Sequence, residues 1–276
     1  LINDLRETEK YMMYSSQLDE GVERASREYC QALIGQLALY RAGYSLRPGG
    51  TVGVMERASD YMDYYAIARE YLYKVINEGR HSLSLESFED LWRGECNWSV
   101  LQGGDVIFEI PMLKEYSGSL GYNIGMVIGY DSDHPSHSYG QGRNNASLCG
   151  LYPFTFDPRD LRLDITCVPY SYDEELNQTV ALGKSCVSGW NIGKWSKLYM
   201  NNLMTGSGDN TGINAIRMRY ADVLLMFAEV ENELSGPTAA AKDALKTVRR
   251  RAFLPEDHAE MVEDYVDALG TKEQFF

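Results

Sequence analysis

The sequence predicts a mainly α fold, helical at both ends and irregular in between. Three observations carry this. Apolar residues recur at spacings of three and four over about 2–14, 23–42, 56–78 and 217–234, the period of a half-buried helix. Gly79 and Ser235-Gly236-Pro237 stand where such helices must stop. From Met112 to about Gly212 the periodicity dissolves into Gly, Asn, Ser and Tyr; so long a stretch in a compact domain must hold short helices and hairpins of its own. Paired helices joined by short turns, with Ala32, Ala68 and Ala228 on packed faces, suggest tetratricopeptide-like hairpins stacked as an α-α superhelix, although no clean repeat period is visible. Residues 1–95 then form one helical part, 96–212 an irregular, partly β-hairpin part, and 213–276 a helical hairpin with a following helix.

In the second helix Tyr29, Leu33, Leu37 and Tyr40 mark the predicted apolar stripe, and a breaker, Pro48-Gly49-Gly50, lies in the loop that follows. The third puts Tyr61, Tyr64, Ala68, Tyr71, Leu72, Val75 and Ile76 on one face, and Gly79 suits a left-handed C-terminal cap. A short helix near 86–92 leads to Asp105–Pro111, whose alternation reads as a strand or hairpin arm. Asp157-Pro158 combines a capping aspartate with an N1 proline, so a short helix or turn starts there. Further on, Tyr220, Val223, Leu224, Phe227 and Val230 or Glu231 form a stripe, a second helix follows over 238–252, and a third over about 256–269. In the row Glu229, Glu231, Glu233, Glu229 is expected to be a hydrogen-bonding residue of the hairpin and the others a solvated edge.

The formal net charge of −14 argues against nucleic acid and against docking on anionic lipid, both of which need a basic footprint. The longest apolar run, Val223–Ala228, is far below the ~20 residues of a membrane span. Leu1 is not followed by a signal-peptide pattern, and the chain reads as the middle portion of a longer protein. The five cysteines contain no CxxC; Cys30 reads as a buried small hydrophobe, and one bridge among Cys149, Cys167 and Cys186 is left open. No GxSxG or triad spacing singles out a nucleophile, and with 40 acidic residues a carboxylate pair alone says nothing about hydrolysis.

Six segments carry a family likeness. Arg217–Leu234, RMRYADVLLMFAEVENEL, closely resembles the "RYADVLLMYAEA-NE" signature of the SusD/RagB family. Val248-Arg-Arg-Arg-Ala252, Val75-Ile76 with Gly79 and Ser82-Leu83, Asp105–Ile110, Asp157-Pro-Arg-Asp160 and Gly193-Lys194-Trp195 resemble further family elements in family order. Lys246 stands where the family usually has Asn, and Asp105 where it usually has Glu. The resemblance implies a non-catalytic, lipid-anchored protein on the outer face of the outer membrane. Such proteins bind glycans and act as a lid on a TonB-dependent SusC-like transporter. It also implies that the family's early segments and C-terminal block lie outside this chain. The alternative is a tetratricopeptide-like interaction scaffold with no glycan site of its own.

A glycan binder needs exposed aromatic platforms and planar polar groups, since a sugar ring offers an apolar C–H face and a rim of hydroxyls. The segment after the 105–110 strand supplies them: Tyr116, Tyr122, Tyr130 and Tyr139 among glycines, with Asp131, Asp133, Gln141, Arg143 and Asn144. Trp98 is a further candidate platform, whereas Trp190 and Trp195 read as structural. No cofactor is expected. Asp131-Ser-Asp-His-Pro-Ser-His137 reads as a polar surface loop; Pro135 prevents helical facing of its histidines, and calcium would need oxygen ligands from elsewhere. Gly206–Gly212 lacks the lysine of a phosphate loop and reads as a linker.

Overall fold

The computed structural model describes residues 1–47, 50–113, 116–179, 189–201 and 209–276. The breaker Pro48-Gly49, Cys186 and the start of the 206–212 linker lie outside them. In chain order the helices are α1 (Ile2–Thr8), α2 (Arg27–Ala42), α3 (Tyr61–Glu78), α4 (Phe88–Cys96), α5 (Leu163–Thr166), α6 (Tyr220–Ser235), α7 (Ala239–Arg250), α8 (Tyr265–Asp267) and α9 (Lys272–Phe275). The strands are short: β1 (Ser45–Leu46), β2 (Met55–Glu56), β3 (Val106–Ile110), β4 (Cys167–Val168), β5 (Ser171–Tyr172), β6 (Gln178–Thr179), β7 (Asn191–Ile192) and β8 (Ala215–Arg219). They pair β1 with β2, β3 with β8, β4 with β7 and β5 with β6. The fold is mainly α, as the periodicity predicts. The segment from Val106 to Ile110 is a strand, but its partner is β8 rather than the next segment, so it is no hairpin arm.

The chain divides into two compact units. Unit 1 is Leu1–Leu85, Gln102–Phe108 and Arg217–Phe276; unit 2 is Glu86–Leu101 and Glu109–Ile216. Helix α4 thus clusters with the irregular part rather than with the first helical part.

In unit 1, α2 packs on α3, α3 on α6, and α6 on α7. Ser26 caps α2 by accepting from the Tyr29 amide at 3.3 Å, so the helix starts later than its periodicity suggests. The face that α2 buries is also not the predicted one. Tyr40 is exposed and Tyr29, Leu33 and Leu37 are half-buried, while Ala32, Ile34, Gly35, Ala38 and Ala42 are buried. Small residues win this face because they let helices approach closely: a Cβ on Gly35 would lie 2.5 Å from Leu72 Cγ of α3. Helix α3 ends as expected, with Gly79 at φ +62° in the left-handed region. On α6 the predicted stripe is buried at Tyr220, Val223, Leu224 and Phe227, and of the two alternatives at its end Val230 is buried and Glu231 half-buried. Beyond Pro255 the expected helix is irregular, a 3-10 turn (Pro255–Asp257) and a π turn (Ala259–Asp264) before α8.

One carboxylate organises the start of α6. Asp105, fully buried, accepts from the Ala221 amide at 2.9 Å and pairs with Arg251 at 2.9 Å and Arg219 at 3.3 Å. A negative group is favoured there because the first amides of a helix lack intrahelical partners. A second buried polar group surrounds Glu28, which accepts from the Ser15 amide at 2.8 Å. His81 Nδ1 lies 3.0 Å from the Gly104 carbonyl and Nε2 lies 3.9 Å from Glu28. Burial holds this imidazole below its ordinary value despite the carboxylate.

The glutamate row of α6 corrects the sequence reading. Glu233 is the structural member: its carboxylate, 6% exposed, binds Arg57 at 2.8 Å and Lys272 at 2.6 Å. Glu231 accepts from the Thr238 hydroxyl at 3.1 Å, and Glu229 is the exposed one. Helical geometry explains the swap, because residues two apart face different sides and the tertiary partners Arg57 and Lys272 select one.

In unit 2, α4 is capped by Ser87 and sends Phe88, Leu91 and Trp92 inward. Trp92 meets Trp195 edge-on at 5.3 Å between centroids. A second cluster joins Met126, Ile128 and Val168, with Tyr170, Tyr172, Leu176 and Leu198 packed against it. Ile128 bridges both Gly142 and Tyr172, so three chain segments lie side by side. Two glycines permit this layering. A Cβ on Gly142 would strike the Met126 carbonyl, and one on Gly125, at φ +142°, would strike the Trp195 carbonyl. Asp157 to Asp160 is the turn alternative of the sequence reading, closed by Asp160 N–H to Asp157 O at 2.9 Å. Cys149 and Cys167 are both free thiols, and Cys30 is buried in unit 1. Among the described residues no helix is long and apolar enough to cross a membrane.

Candidate glycan site

Unit 2 contains a cleft of about 360 Å³ whose walls include Tyr170, Tyr172 and Tyr199, with Glu89, Arg93 and Asp164 at its polar side. Each group is placed by local structure. Tyr170 and Tyr172 are two apart on extended chain leading into β5, so both rings face the same side, edge to face at 5.7 Å. Glu89 and Arg93 are four apart on α4 and meet on its surface; Arg93 gives Nε and Nη2 to Glu89 Oε1 at 2.9 and 2.7 Å. The Arg93 guanidinium also lies 4.4 Å from the centre of the Tyr199 ring. Asp164 sits on α5 and is exposed. The Tyr170 and Tyr199 hydroxyls remain donors at neutral pH. Burial and then Glu89 push Tyr199 up to about 12, and burial with neighbouring Tyr172 raises Tyr170. Rings beside hydroxyl donors and carboxylate acceptors can stack a sugar face and bind its rim.

These six residues escaped the sequence reading. The one local signal was the i, i+2 pair Tyr170-Ser-Tyr172, a two-residue repeat too short to register as a strand.

The residues that the sequence did single out fall in three groups. Tyr130 and Tyr139 are half-buried and flank His137, with ring centroids at 5.6 and 6.0 Å. His137 Nε2 lies 2.8 Å from the Gly129 carbonyl, which fixes this aromatic trio on the loop. Asp131 closes the same loop by accepting from the Asp133 and His134 amides at 2.9 and 3.3 Å. Its carboxylate is therefore occupied locally, and among the described residues no three acidic, histidine or cysteine groups converge on a metal position. Tyr116 is 77% exposed.

Tyr122 is different. It is buried, with Arg143 and Lys197 over its ring at 5.4 and 5.8 Å, so its faces are already covered. Lys197 is itself buried and donates to the Gln141 carbonyl at 3.0 Å; burial lowers it to about 8. Asn144 donates to the Trp190 carbonyl at 3.3 Å and Arg143 to Gln141 at 3.2 Å. Trp98 donates its indole N–H to the Gly212 carbonyl at 2.7 Å and packs on Cys96, Met200 and Ile213. Trp195 packs in that same cluster, and Trp190 holds Leu148 through a backbone bridge.

A family model described as the SusD family matches residues 104–275. The chain belongs to the SusD family. Five of the six resemblance segments lie within the match; Val75–Leu83 precedes it. SusD-like protein P2 of Formosa agariphila is 28% identical over 207 residues, 70% of this chain and 38% of that protein. A SusD homolog from Bacteroides thetaiotaomicron shares the fold with a TM-score of 0.74 at 21% identity, over 99% of this chain and 55% of that one. Surface glycan-binding protein A from the same organism, solved in complex with laminarihexaose, gives 0.64 at 15% identity, over 99% and 58%. The chain thus spans 38% of the curated SusD relative and little more than half of these solved structures.

Proposed function

We propose that this chain is the glycan-holding portion of a non-catalytic surface protein that passes oligosaccharide to a TonB-dependent SusC-like transporter. Attachment to the outer face of the outer membrane would be through a lipid anchor. The observation that carries the reading is the tyrosine-walled cleft in unit 2 of a SusD-family chain. The complex of a structural relative with laminarihexaose supports the same ligand class. Tyr172 is the platform of the cleft, and Tyr199, its ring under Arg93, adds a hydroxyl to the wall. Tyr130, Tyr139 and Tyr116 are candidates for a longer chain of sugars, with Asp131, Arg143 and Asn144 as polar neighbours. Tyr122 and Trp98 support the loops.

The test is titration of the full chain with a panel of oligosaccharides. Tryptophan emission is a suitable signal because all four tryptophans, Trp92, Trp98, Trp190 and Trp195, are in unit 2. Tyr172→Ala is expected to weaken binding by ~2–10-fold, the scale of one aromatic contact. Saturable binding that survives Tyr172→Ala, Tyr130→Ala and Tyr139→Ala unchanged would rule out this placement.

A specific feature favours a scaffold as the second reading. Unit 1 has a groove of about 500 Å³ lined by Tyr73 and Phe227, with Arg69 and Glu231 paired at 3.6 Å beside them. Capture of a transporter by a chain that binds no glycan would favour it.

A further inference from the structure

We propose that the cleft of unit 2 selects uncharged sugar rings and rejects anionic ones, with Asp164 as the acceptor for a pair of ring hydroxyls. This deepens the glycan reading above and rests on it. Recognition of a uronate or a sulfated sugar calls for a cation with free donors, ideally a guanidinium fork. The guanidinium of the cleft, Arg93, gives two of its three nitrogens to Glu89, whose carboxylate balances its charge, and its face lies against Tyr199. Lys194, next in sequence to the cleft residue Gly193, holds its ammonium 5.0 and 5.6 Å from the Trp92 and Phe88 rings. Asp164, by contrast, is exposed at the cleft, and no hydrogen bond or ion pair engages its carboxylate among the described residues. An ionised carboxylate only accepts, and its two oxygens match two neighbouring hydroxyls of one sugar ring. The same oxygens repel a carboxylate or sulfate, and the net charge of −14 adds a long-range term of the same sign.

The full chain is titrated by calorimetry with laminarihexaose, cellohexaose and mannohexaose, and with each after oxidation of its C6 hydroxyls to carboxylates. At least one neutral hexaose is expected to bind, and its carboxylated form to bind ~10-fold or more weakly, a difference of about 1.4 kcal/mol. Asp164→Asn should bring the two forms to within ~3-fold, and so should raising NaCl to about 0.5 M, which screens exposed charge. Asp63→Asn, which removes the same charge from an exposed position on α3 in unit 1, should leave the gap intact. Equal or tighter binding of the carboxylated sugar, or a gap that Asp164→Asn does not change, overturns the inference and leaves the glycan reading standing. Silence from every hexaose overturns both.

Discussion

Replacing Asp105 by Ala is expected to cost ~3–5 kcal/mol, the scale for removing one partner of a buried ion pair. The figure follows from what would be left behind. Arg251, with a side chain 6% exposed, would keep its charge and lose the carboxylate at 2.9 Å. Arg219 would lose its contact at 3.3 Å, and the Ala221 amide its acceptor at 2.9 Å. Spread over a unit of this size, the loss corresponds to ~6–20 °C in melting temperature. Urea and thermal unfolding should be followed by circular dichroism at 222 nm, because the long helices α2, α3, α6 and α7 belong to unit 1. Tryptophan emission monitors unit 2 alone. A cycle with Arg251→Ala sharpens the test: the double variant should lose clearly less than the sum of the single losses, since the two side chains act on each other. A loss below ~1 kcal/mol for Asp105→Ala, or strict additivity, would refute the claim that this carboxylate anchors α6.

Acidification should destabilise unit 1 through His81. Burial lowers its folded value, so between that value and the ordinary 6.5 the unfolded chain binds the extra proton. The stabilisation is present above about 6.5 and is lost as pH falls through the lowered folded value; thermal melts from pH 7.5 to 5 should show it, and His81→Asn should flatten the slope. Gly125→Ala should cost ~2 kcal/mol or more, because the new Cβ meets the Trp195 carbonyl and the backbone sits at φ +142°. Urea unfolding followed by tryptophan emission reads it, and an unchanged midpoint would mean that the 125 and 195 segments do not pack as described.

What was legible in the sequence was local. The α3 stripe of Ala68, Leu72 and Val75 depends on a 3.6-residue period, and the stop at Gly79 on that residue's own backbone freedom. The α6 stripe and the Ser235-Gly236-Pro237 break are of the same kind. The long signature over 217–234 likewise pointed to the family before any packing was known. The α2 face misled because its large residues were counted as core, when the neighbour Leu72 needed the small ones.

The sequence by itself thus determined the mainly α class, the principal helices of unit 1 and the acidic surface, since these follow from neighbours a few residues apart. Only the tertiary structure decided which strand pairs with β3, which glutamate of α6 is buried, and where a sugar could sit. The cleft draws Glu89 and Arg93 from α4, Asp164 from α5, the Tyr170–Tyr172 pair from the chain around β5, and Tyr199 from a 3-10 turn. No spacing along the chain connects them; they meet because hydrophobic clusters around Ile128 and Ile213 bring distant segments together.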